Sequence, residues 1–344
     1  MAKSRMRKIG AHTLVLALIV LVAGCDFLGG SDEFAESNGY LPIKLDQQWG
    51  FIDSNGRTAV PPQYDQVQPF SDGFAAVQVG ADWGYIDKTG SMVIAPQFRT
   101  AGEFHYGLAP VRGVNFGDLY GFINTSGEFT IAAAYDLALP FSEGLAAVRS
   151  NGQWGYVNTR GEVVIEPTFS DAQSFSEEFA AVEARDGWVY INKSGAVVIN
   201  PSFAINSALP FSEGRAAFST NSGWGFLDRS GTPVISPQYD EASSFSDGRA
   251  AVRDGSWGYI NPRGDVVIEP QFRSAGSFKE GLAPVRFNDN WTYIDVKTGR
   301  IAINDTYAHA GKFVNGVARI DDGGDNPRIG YIDKKGVYVW YPTR

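Results

Sequence analysis

The sequence has very few of the side chains on which enzyme and metal sites depend. It contains one cysteine, Cys25, and three histidines among 344 residues. A disulfide or a thiolate metal site needs more than one thiol, so both are excluded. His105 and His309 stand far apart in the chain and have no recognisable catalytic or metal-binding partners. The chain also lacks a phosphate loop, a dinucleotide fingerprint and a zinc-protease helix. We therefore predict no catalytic residue, no metal and no cofactor.

Positive charge is scarce as well. The chain has 29 Lys and Arg against 38 Asp and Glu, a net charge of −9. Four of the basic residues lie in the first 24 positions, which hold no acid, so the remainder has 25 basic and 38 acidic residues and a net charge of −13. Nucleic acids and anionic lipid surfaces both require clustered Lys and Arg. The balance disfavours both as direct partners.

Long apolar runs are missing except at residues 14–22, which follow a basic start. Nine residues are too few to span a bilayer comfortably, and small residues follow them, as in a secretory signal peptide. The ending Leu21-Val22-Ala23-Gly24-Cys25 resembles the bacterial lipobox. The resemblance implies that residues 1–24 are removed and that Cys25 is lipidated. Residues 25–39 are rich in Gly, Ser and acid, so we predict a flexible tether.

The lipid anchor predicts the location of the protein. It would hold the chain on the outer, periplasmic or extracellular, face of the cytoplasmic membrane in a bacterial cell envelope. Asp26 resembles the signal that retains lipoproteins in the inner membrane of enteric-type bacteria. An outer-membrane location is the alternative.

One short phrase is abundant and organises the rest of the chain. It reads Trp-Gly-aromatic-Ile-Asn/Asp, as at Trp83-Gly84-Tyr85-Ile86-Asp87, and it occurs nine times at intervals of 33 to 38 residues. A fixed period of this length indicates a repeat architecture, and repetition favours packing over catalysis. Tyr120 and Ile329 replace the tryptophan in two copies. The tryptophans that we assign to repeat structure are Trp49, Trp83, Trp154, Trp188, Trp224, Trp257 and Trp291.

Each repeat reads as a three-stranded antiparallel meander. In the fourth repeat, residues 145–149, 153–158 and 163–165 alternate or are β-branched, and Asn151-Gly152 and residues 159–161 are turn sequences. A return segment, Phe-Ser-Asp/Glu-Gly, precedes each meander, and we assign its acid to the turn and not to catalysis. The glycine after tryptophan predicts close approach of a backbone, which we assign to the neighbouring repeat.

These motifs resemble the WG, or KWG, β-repeat family over residues 40–344. The matching features are the Trp-Gly-Tyr-Ile-Asp strand, the Lys88-Thr89-Gly90 turn and the Phe-Ser-Glu-Gly-Leu-Ala-Ala-Val return at 141–148. The resemblance implies a bacterial envelope or secreted protein without a general enzymatic role. The fold class is then all-β, with about nine tandem three-stranded units in an open superhelical array or a propeller-like ring. Nine complete units leave no half-blade to share between the chain ends, which favours the open array.

Arginine supplies the main candidate for ligand binding. Arg112, Arg149, Arg253 and Arg286 each follow the first strand at equivalent positions, so a regular array aligns them in a stripe. They form either solvated cross-strand ion pairs or a charged groove for an extended or anionic ligand. Glu166 and Glu269 share another equivalent position.

Other departures from the repeat give weaker candidates. Tyr106 and Phe116 break the repeat pattern and are the aromatic residues that we expect to be exposed. The acidic loop at residues 321–326 is read as a turn, with calcium binding as the alternative.

The function predicted from the sequence is that of a membrane-anchored, non-enzymatic repeat scaffold. Its partner would be an envelope protein, because extended repeat surfaces commonly bind proteins. The alternative is a lipoprotein that binds cell-wall glycan or peptidoglycan through exposed aromatic residues. An enzyme whose site forms where repeats converge is the third hypothesis, and it would show irregular acids or histidines clustered at one end of the units.

Overall fold

A computed structural model of the chain describes residues 39–113, 117–324 and 327–341. Within these ranges all regular structure is β, as the sequence predicts. The strands in chain order are β1 (Tyr40–Leu45), β2 (Gln48–Asp53), β3 (Thr58–Tyr64), β4 (Gln66–Val67), β5 (Phe74–Val79), β6 (Asp82–Asp87), β7 (Met92–Ala101), β8 (Leu108–Gly113), β9 (Tyr120–Asn124), β10 (Phe129–Tyr135), β11 (Leu137–Ala138), β12 (Leu145–Ser150), β13 (Gln153–Asn158), β14 (Val163–Phe169), β15 (Asp171–Ala172), β16 (Ala180–Ala184), β17 (Gly187–Ile191), β18 (Val197–Ile199), β19 (Ser207–Ala208), β20 (Arg215–Thr220), β21 (Gly223–Asp228), β22 (Pro233–Tyr239), β23 (Glu241–Ala242), β24 (Ala250–Asp254), β25 (Ser256–Ile260), β26 (Val266–Phe272), β27 (Ser274–Ala275), β28 (Leu282–Phe287), β29 (Asn290–Asp295), β30 (Ile301–Tyr307), β31 (His309–Val314), β32 (Val317–Asp321), β33 (Ile329–Asp333) and β34 (Tyr338–Trp340).

The strands form nine antiparallel units, each with the predicted three-stranded meander. Unit 4 has the strand order β11-β12-β13-β14, and units 5 to 9 repeat it. The return segment adds a strand that the sequence did not predict, usually only two residues long, at the inner edge of the first long strand. Units 2 and 3 share β7, which ends the meander of one and begins the return of the next, so their strands form one seven-stranded sheet.

Local hydrogen bonds explain why the recurring phrase ends in Asn or Asp. In unit 4 the side-chain Oδ1 of Asn158 accepts the backbone N–H groups of Arg160, at 3.0 Å, and Glu162, at 3.1 Å. This Asx turn starts the hairpin into β14, and Gly161 occupies the position with positive φ that it requires. The hairpin between β12 and β13 closes through Asn151 and Gly152, whose φ values are 50° and 80°.

The glycine after tryptophan lies beneath a bulge in its own unit, and the predicted contact with a neighbouring unit was wrong. A Cβ on Gly155 would lie 2.5 Å from the carbonyl oxygen of Ile165 and 2.6 Å from the nitrogen of Pro167. Both atoms belong to β14. The pairing skips there from Tyr156–Ile165 to Trp154–Phe169, so β14 bends over the glycine.

Unit 5 provides a natural substitution at this position. Val189 replaces the glycine, and β18 stops at Ile199 without resuming opposite Trp188. In unit 8 the same position holds Thr292, and there the pairing resumes opposite Trp291. The Thr292 hydroxyl donates hydrogen bonds to the carbonyls of Ile303 and Asp305 in the bulge.

Neighbouring units pack through aromatic side chains and a turn glycine. Tyr156 contacts Phe175 of the next unit at 4.9 Å between ring centroids, and its hydroxyl donates a 2.7 Å hydrogen bond to the carbonyl of Gln173. Gly161 lies against Ile131 of the preceding unit, where a Cβ would be 3.2 Å from its side chain. Each interface therefore buries a core of aromatic and aliphatic side chains between two sheets.

The first and last units make the same contacts, so the units close into a propeller-like ring and the preference for an open array was wrong. Tyr331 of unit 9 donates a 2.7 Å hydrogen bond to the carbonyl of Pro42 in unit 1. Gly56 of unit 1 lies against Val339 of unit 9, as Gly161 lies against Ile131. Leu41, Ile43, Ile52, Val317, Ile329 and Tyr331 form one buried cluster. Among the described residues no strand is shared across this junction, because face-to-face packing needs no half-blade.

Candidate functional site

The Phe-Ser-Asp/Glu-Gly segments form tight two-residue hairpins. In unit 4 the backbone N–H and C=O of Ser142 pair with those of Leu145 at 2.9 and 3.0 Å. The two central residues, Glu143 and Gly144, have φ values of 51° and 87°, as a type I′ turn requires. Each turn places its acidic side chain at one end of its unit, next to the turn of the following unit.

Successive turns are joined by two repeated hydrogen bonds. The hydroxyl of Ser142 donates to the carbonyl of Phe175 in the next turn at 2.7 Å. The carboxylate of Glu143 accepts the backbone N–H of Glu178 at 3.0 Å. We call this set of linked hairpins the turn ring. Its carboxylate-to-amide pairs are Asp72–Gly107, Glu143–Glu178, Glu177–Gly214, Glu213–Gly248, Asp247–Gly281 and Glu280–Gly316.

A cation from the second hairpin of the following unit neutralises several of these carboxylates. Lys193 lies 3.1 Å from Glu143 and 3.0 Å from Glu178. Lys334 lies 2.9 Å from Glu280, and Arg229 lies 3.8 Å from Glu177. Although partial burial raises the pKa of Glu280, the Lys334 ammonium and the hydrogen bonds from the next turn hold that pKa below its usual value. The turn acids are structural acceptors, in agreement with their assignment from the sequence.

The pattern breaks at two described turns. Tyr106 occupies the acid position in unit 3 and is 59% exposed. Asn315 occupies it in unit 9, with a φ of 53° like the acids. Beside Asn315 the turn ring has an open cavity of about 660 Å³, lined by Gly39, Asp72, Gly73, Lys88 and Asn315. These residues come from units 9, 1 and 2, so the cavity lies at the ring closure.

The predicted arginines occupy one register but form two pairs and not a continuous stripe. Arg112 stands opposite Tyr120, and Arg149, Arg253 and Arg286 each stand opposite the tryptophan of their own unit. In units 5 and 6, between the two pairs, the same position holds Glu183 and Ser219.

Three of these arginines pair with exposed acids. Arg253 lies 2.7 Å from Glu241, and Arg112 lies 3.7 Å from Asp118. Arg286 lies 4.0 Å from Asp289. Exposed pairs of this kind contribute little each. A ligand groove at these arginines stays a prediction, as does any role for Glu166 and Glu269, which are exposed on the third strand of their units.

The repeat tryptophans pack into the units. Trp83 and Trp154 are buried, at 6% and 2% exposure. Trp49, Trp188, Trp224, Trp257 and Trp291 are partly buried at the edges of the core clusters. Among the described aromatic residues only Tyr106 and Tyr341 are exposed.

The two histidines lie apart, at opposite ends of their units. His105 is in a hairpin of the turn ring, 3.4 Å from Glu103. His309 begins β31 and lies 2.7 Å from the buried carboxylate of Asp321, at the other end. Asp321 also accepts the N–H of Gly323, so the described part of the acidic loop is a turn. In the described ranges no group of three or more His, Cys, Asp and Glu side chains is placed to hold a metal ion.

Some predicted features fall outside the described residues. Cys25, Asp26 and the proposed tether through residue 38 are among them, and so is Phe116. Over the residues that the structure covers, no helix has the length and apolar character needed to cross a membrane.

The last strand of a unit, which we call the outer strand, presents apolar side chains to solvent in most units. Val163 and Val164 at the start of β14 are 48% and 40% exposed. Val197 and Val198 in unit 5 and Val266 and Val267 in unit 7 behave in the same way. Except for β7, the outer strand is the final one in its sheet, so within the described residues one of its edges has no paired strand. This feature was missed from the sequence, although the adjacent β-branched residues before each Ile could have indicated it.

A family model described as "WG containing repeat" matches seven segments, at residues 49–81, 83–114, 120–154, 154–188, 188–223, 224–256 and 257–291. Together the segments span more than half of the chain. No curated protein matches the sequence significantly.

Several solved structures are similar to this chain at low sequence identity. A structure titled as the eukaryotic initiation factor has 11% identity and a TM-score of 0.64, over 86% of this chain and 94% of that one. BamB from Moraxella catarrhalis has 11% identity and a TM-score of 0.42, over 88% and 93%. Hsv2 from Kluyveromyces lactis has 10% identity and a TM-score of 0.44, over 77% and 98%. The first of these structures shows that this chain shares its fold.

Proposed function

The chain belongs to the WG-containing repeat family, and on this basis we propose that it is a non-enzymatic scaffold for protein–protein interaction. We propose further that a lipid on Cys25 holds it in the bacterial cell envelope, on the outer face of the cytoplasmic membrane. The repeated aromatic residues and turn acids are used in packing between and within units. The surfaces left for recognition are the outer strands and the ends of the ring.

The observation that carries this proposal is the repeated outer strand. It combines an unpaired backbone edge with exposed β-branched side chains such as Val163 and Val164. An exposed apolar edge strand favours addition of a strand from another chain, because the partner's backbone completes the hydrogen-bond ladder. An extended protein segment therefore fits this surface better than a small molecule does.

The glycan alternative has less support. Sugar recognition by stacking requires aromatic rings on a shared surface, whereas the seven repeat tryptophans are buried or partly buried. Tyr106 is exposed, but it stands alone in the turn ring. A glycan site at Tyr106 would be a single subsite and not a repeated one.

The test is photo-crosslinking in the native envelope. A photoreactive phenylalanine analogue at Val164 is expected to give a saturable adduct of discrete mass with a protein. The adduct should disappear when Val197 and Val198 of the adjacent unit are both changed to lysine. The matched control is Val79→Lys, which charges an equally exposed valine, 47% exposed, away from the outer strand. Adducts with wall glycan alone, or equal loss with Val79→Lys, would overturn the proposal.

A further inference from the structure

The backbone amides of the turn ring follow one hydrogen-bonding rule. A turn carboxylate accepts the N–H of the third turn residue in the next unit, at distances from 2.6 Å for Asp247–Gly281 to 3.1 Å for Glu280–Gly316. At the ring closure the rule fails, because Asn315 of unit 9 carries no charge. The amides that follow in the ring belong to Gly39 and Gly73. Within the described residues neither amide has a side-chain acceptor.

Lys88 lines the same cavity as these two glycines, and within the described residues it lacks the acidic partner that its counterparts have. Lys193, Arg229 and Lys334 occupy the same hairpin position and reach the turn acid of the preceding unit. In the part of the chain that the structure describes, Lys88 makes no ion pair, and its ammonium lies 5.8 Å from the ring centroid of Tyr40. The sequence has asparagine, Asn38, at the acid position of unit 1.

The cavity therefore has the hydrogen-bond donors that bind a turn carboxylate elsewhere in the turn ring, but the carboxylate itself is missing. The two glycines and the lysine that supply these donors line a space of about 660 Å³. The carboxylate of Asp72 lies in the same wall but already accepts the N–H of Gly107 at 3.0 Å. One ammonium opposite one carboxylate suits a ligand with a single negative charge and disfavours a phosphate dianion or a nucleic acid.

We infer that this cavity binds a carboxylate, the side chain of an Asp or Glu, which completes the turn ring at its closure. The inference rests on the proposed function, since it names the chemistry that a protein partner would present. The same chemistry has a second source in the acids of residues 32–36, Asp32, Glu33 and Glu36 of this chain. In both cases Lys88 supplies the charge and the glycine amides supply directional hydrogen bonds.

The first test uses the full chain, labelled with 15N-glycine, and N-acetyl-glutamate α-amide as the probe. The amide resonances of Gly39 and Gly73 are expected to shift saturably with this probe and not with N-acetyl-glutamine α-amide. Lys88→Gln should weaken binding at least tenfold. The control is Lys193→Gln. It removes an equivalent lysine that already pairs with Glu143 and Glu178, and it should leave probe binding unchanged. Equal shifts with the neutral probe, or equal affinity in Lys88→Gln, would overturn the inference.

A second variant tests the site by filling it from within. Asn315→Glu restores a carboxylate at the acid position of unit 9, next to Gly39. It is expected to fold, to raise the melting temperature by a few degrees, and to abolish the response of Gly39 to the probe. Unchanged probe affinity in this variant would contradict the inference, because the restored carboxylate would then not compete for the site.

The source of the carboxylate is tested by changing Asp32, Glu33 and Glu36 together to their amides. Tighter probe binding in this variant assigns the site to the chain's own acids. Unchanged binding assigns it to a partner. The Val164 crosslink distinguishes the two proposals. A protein adduct at Val164 without carboxylate binding in the cavity would contradict the inference and would still support the scaffold proposal.

Discussion

At the residue scale, glycine and Asn/Asp carry most of the structural information in the repeat. Gly155 is required because β14 bends across its Cα, and the Asx side chain at position 158 is required because it caps the next hairpin. The recurring phrase contains both positions, but only the glycine was given a structural role from the sequence. Sequence reasoning assigned the close approach to the wrong strand, because a bulge within one unit and a contact between two units leave the same glycine in the sequence.

Gly155→Val is expected to lower the free energy of unfolding by about 3 kcal/mol. The Cβ would overlap the backbone of Ile165, and the valine side chain has no hydroxyl to donate to the bulge carbonyls as Thr292 does. Chemical denaturation measures the change. Asn158→Ala, which removes only the turn cap, should cost less, and equal midpoints for the two variants would contradict the bulge explanation.

The aspartates that end the recurring phrase and cap the next hairpin predict a loss of stability in acid. They are distinct from the acids of the turn ring. The hydrogen bond from the backbone N–H of Arg57 is the main cause that lowers the pKa of Asp53. The hydrogen bond from the Thr89 hydroxyl is the main cause that lowers the pKa of Asp87. Asp228 and Asp295 are lowered in the same way, by Ser230 and Thr298. Because the folded pKa lies below the usual 3.8, this stability is present above pH 3.8 and is lost as the pH falls through the lower folded value.

Changing these four aspartates to asparagine should flatten the acid limb of the stability curve. Asparagine already makes the same cap in unit 4, through Asn158, so the variant is expected to fold. Melting temperatures between pH 5 and pH 2.5 measure the effect. An unchanged slope would show that other carboxylates dominate acid unfolding.

At the element scale, the three long strands of each unit could be predicted because their side-chain period and turn residues are strong and local. The short return strand could not. Leu137 and Ala138 pair with Arg149 and Val148 only because the preceding β10 crosses to the next unit at that point. Two residues contain no period, so their strand conformation is set by the tertiary arrangement. The exposed outer strand was likewise hidden, since buried and exposed valines look alike in sequence.

The hydroxyl that crosses each interface gives a prediction at this scale. Tyr156 and Tyr331 make the same 2.7 Å bond to a carbonyl of the next unit, and Tyr331 does so across the ring closure. Each Tyr→Phe change leaves that carbonyl without its partner and should cost about 1–2 kcal/mol. Calorimetry of the two variants compares them. A cost at Tyr156 with none at Tyr331 would contradict closure.

At the scale of the whole molecule, the sequence predicted nine units and a β-repeat fold but favoured the wrong closure. The number of units and the absence of a shared half-blade are properties of the chain. Closure depends on the small rotation between successive units, summed nine times, and no single residue encodes it. The cavity beside Lys88 was invisible for the same reason, because it requires units 9, 1 and 2 to meet.

The lipid anchor stays a prediction at this scale. Cys25→Ser is expected to leave a precursor that takes up no labelled fatty acid in the bacterial host, because the only thiol of the chain is gone. Metabolic labelling followed by gel analysis measures it. Equal labelling of the variant and the wild-type chain would rule the anchor out.

Closure also changes how the protein withstands degradation. An open repeat array has end units with one neighbour each, and these fray first. In this chain Leu41 of the first unit and Val317 of the last lie in one cluster, so every unit has two neighbours. An endoprotease therefore finds no weakly held terminal repeat from which unravelling can start. In the envelope location that we propose, a long lifetime would follow from the ring itself, without a disulfide.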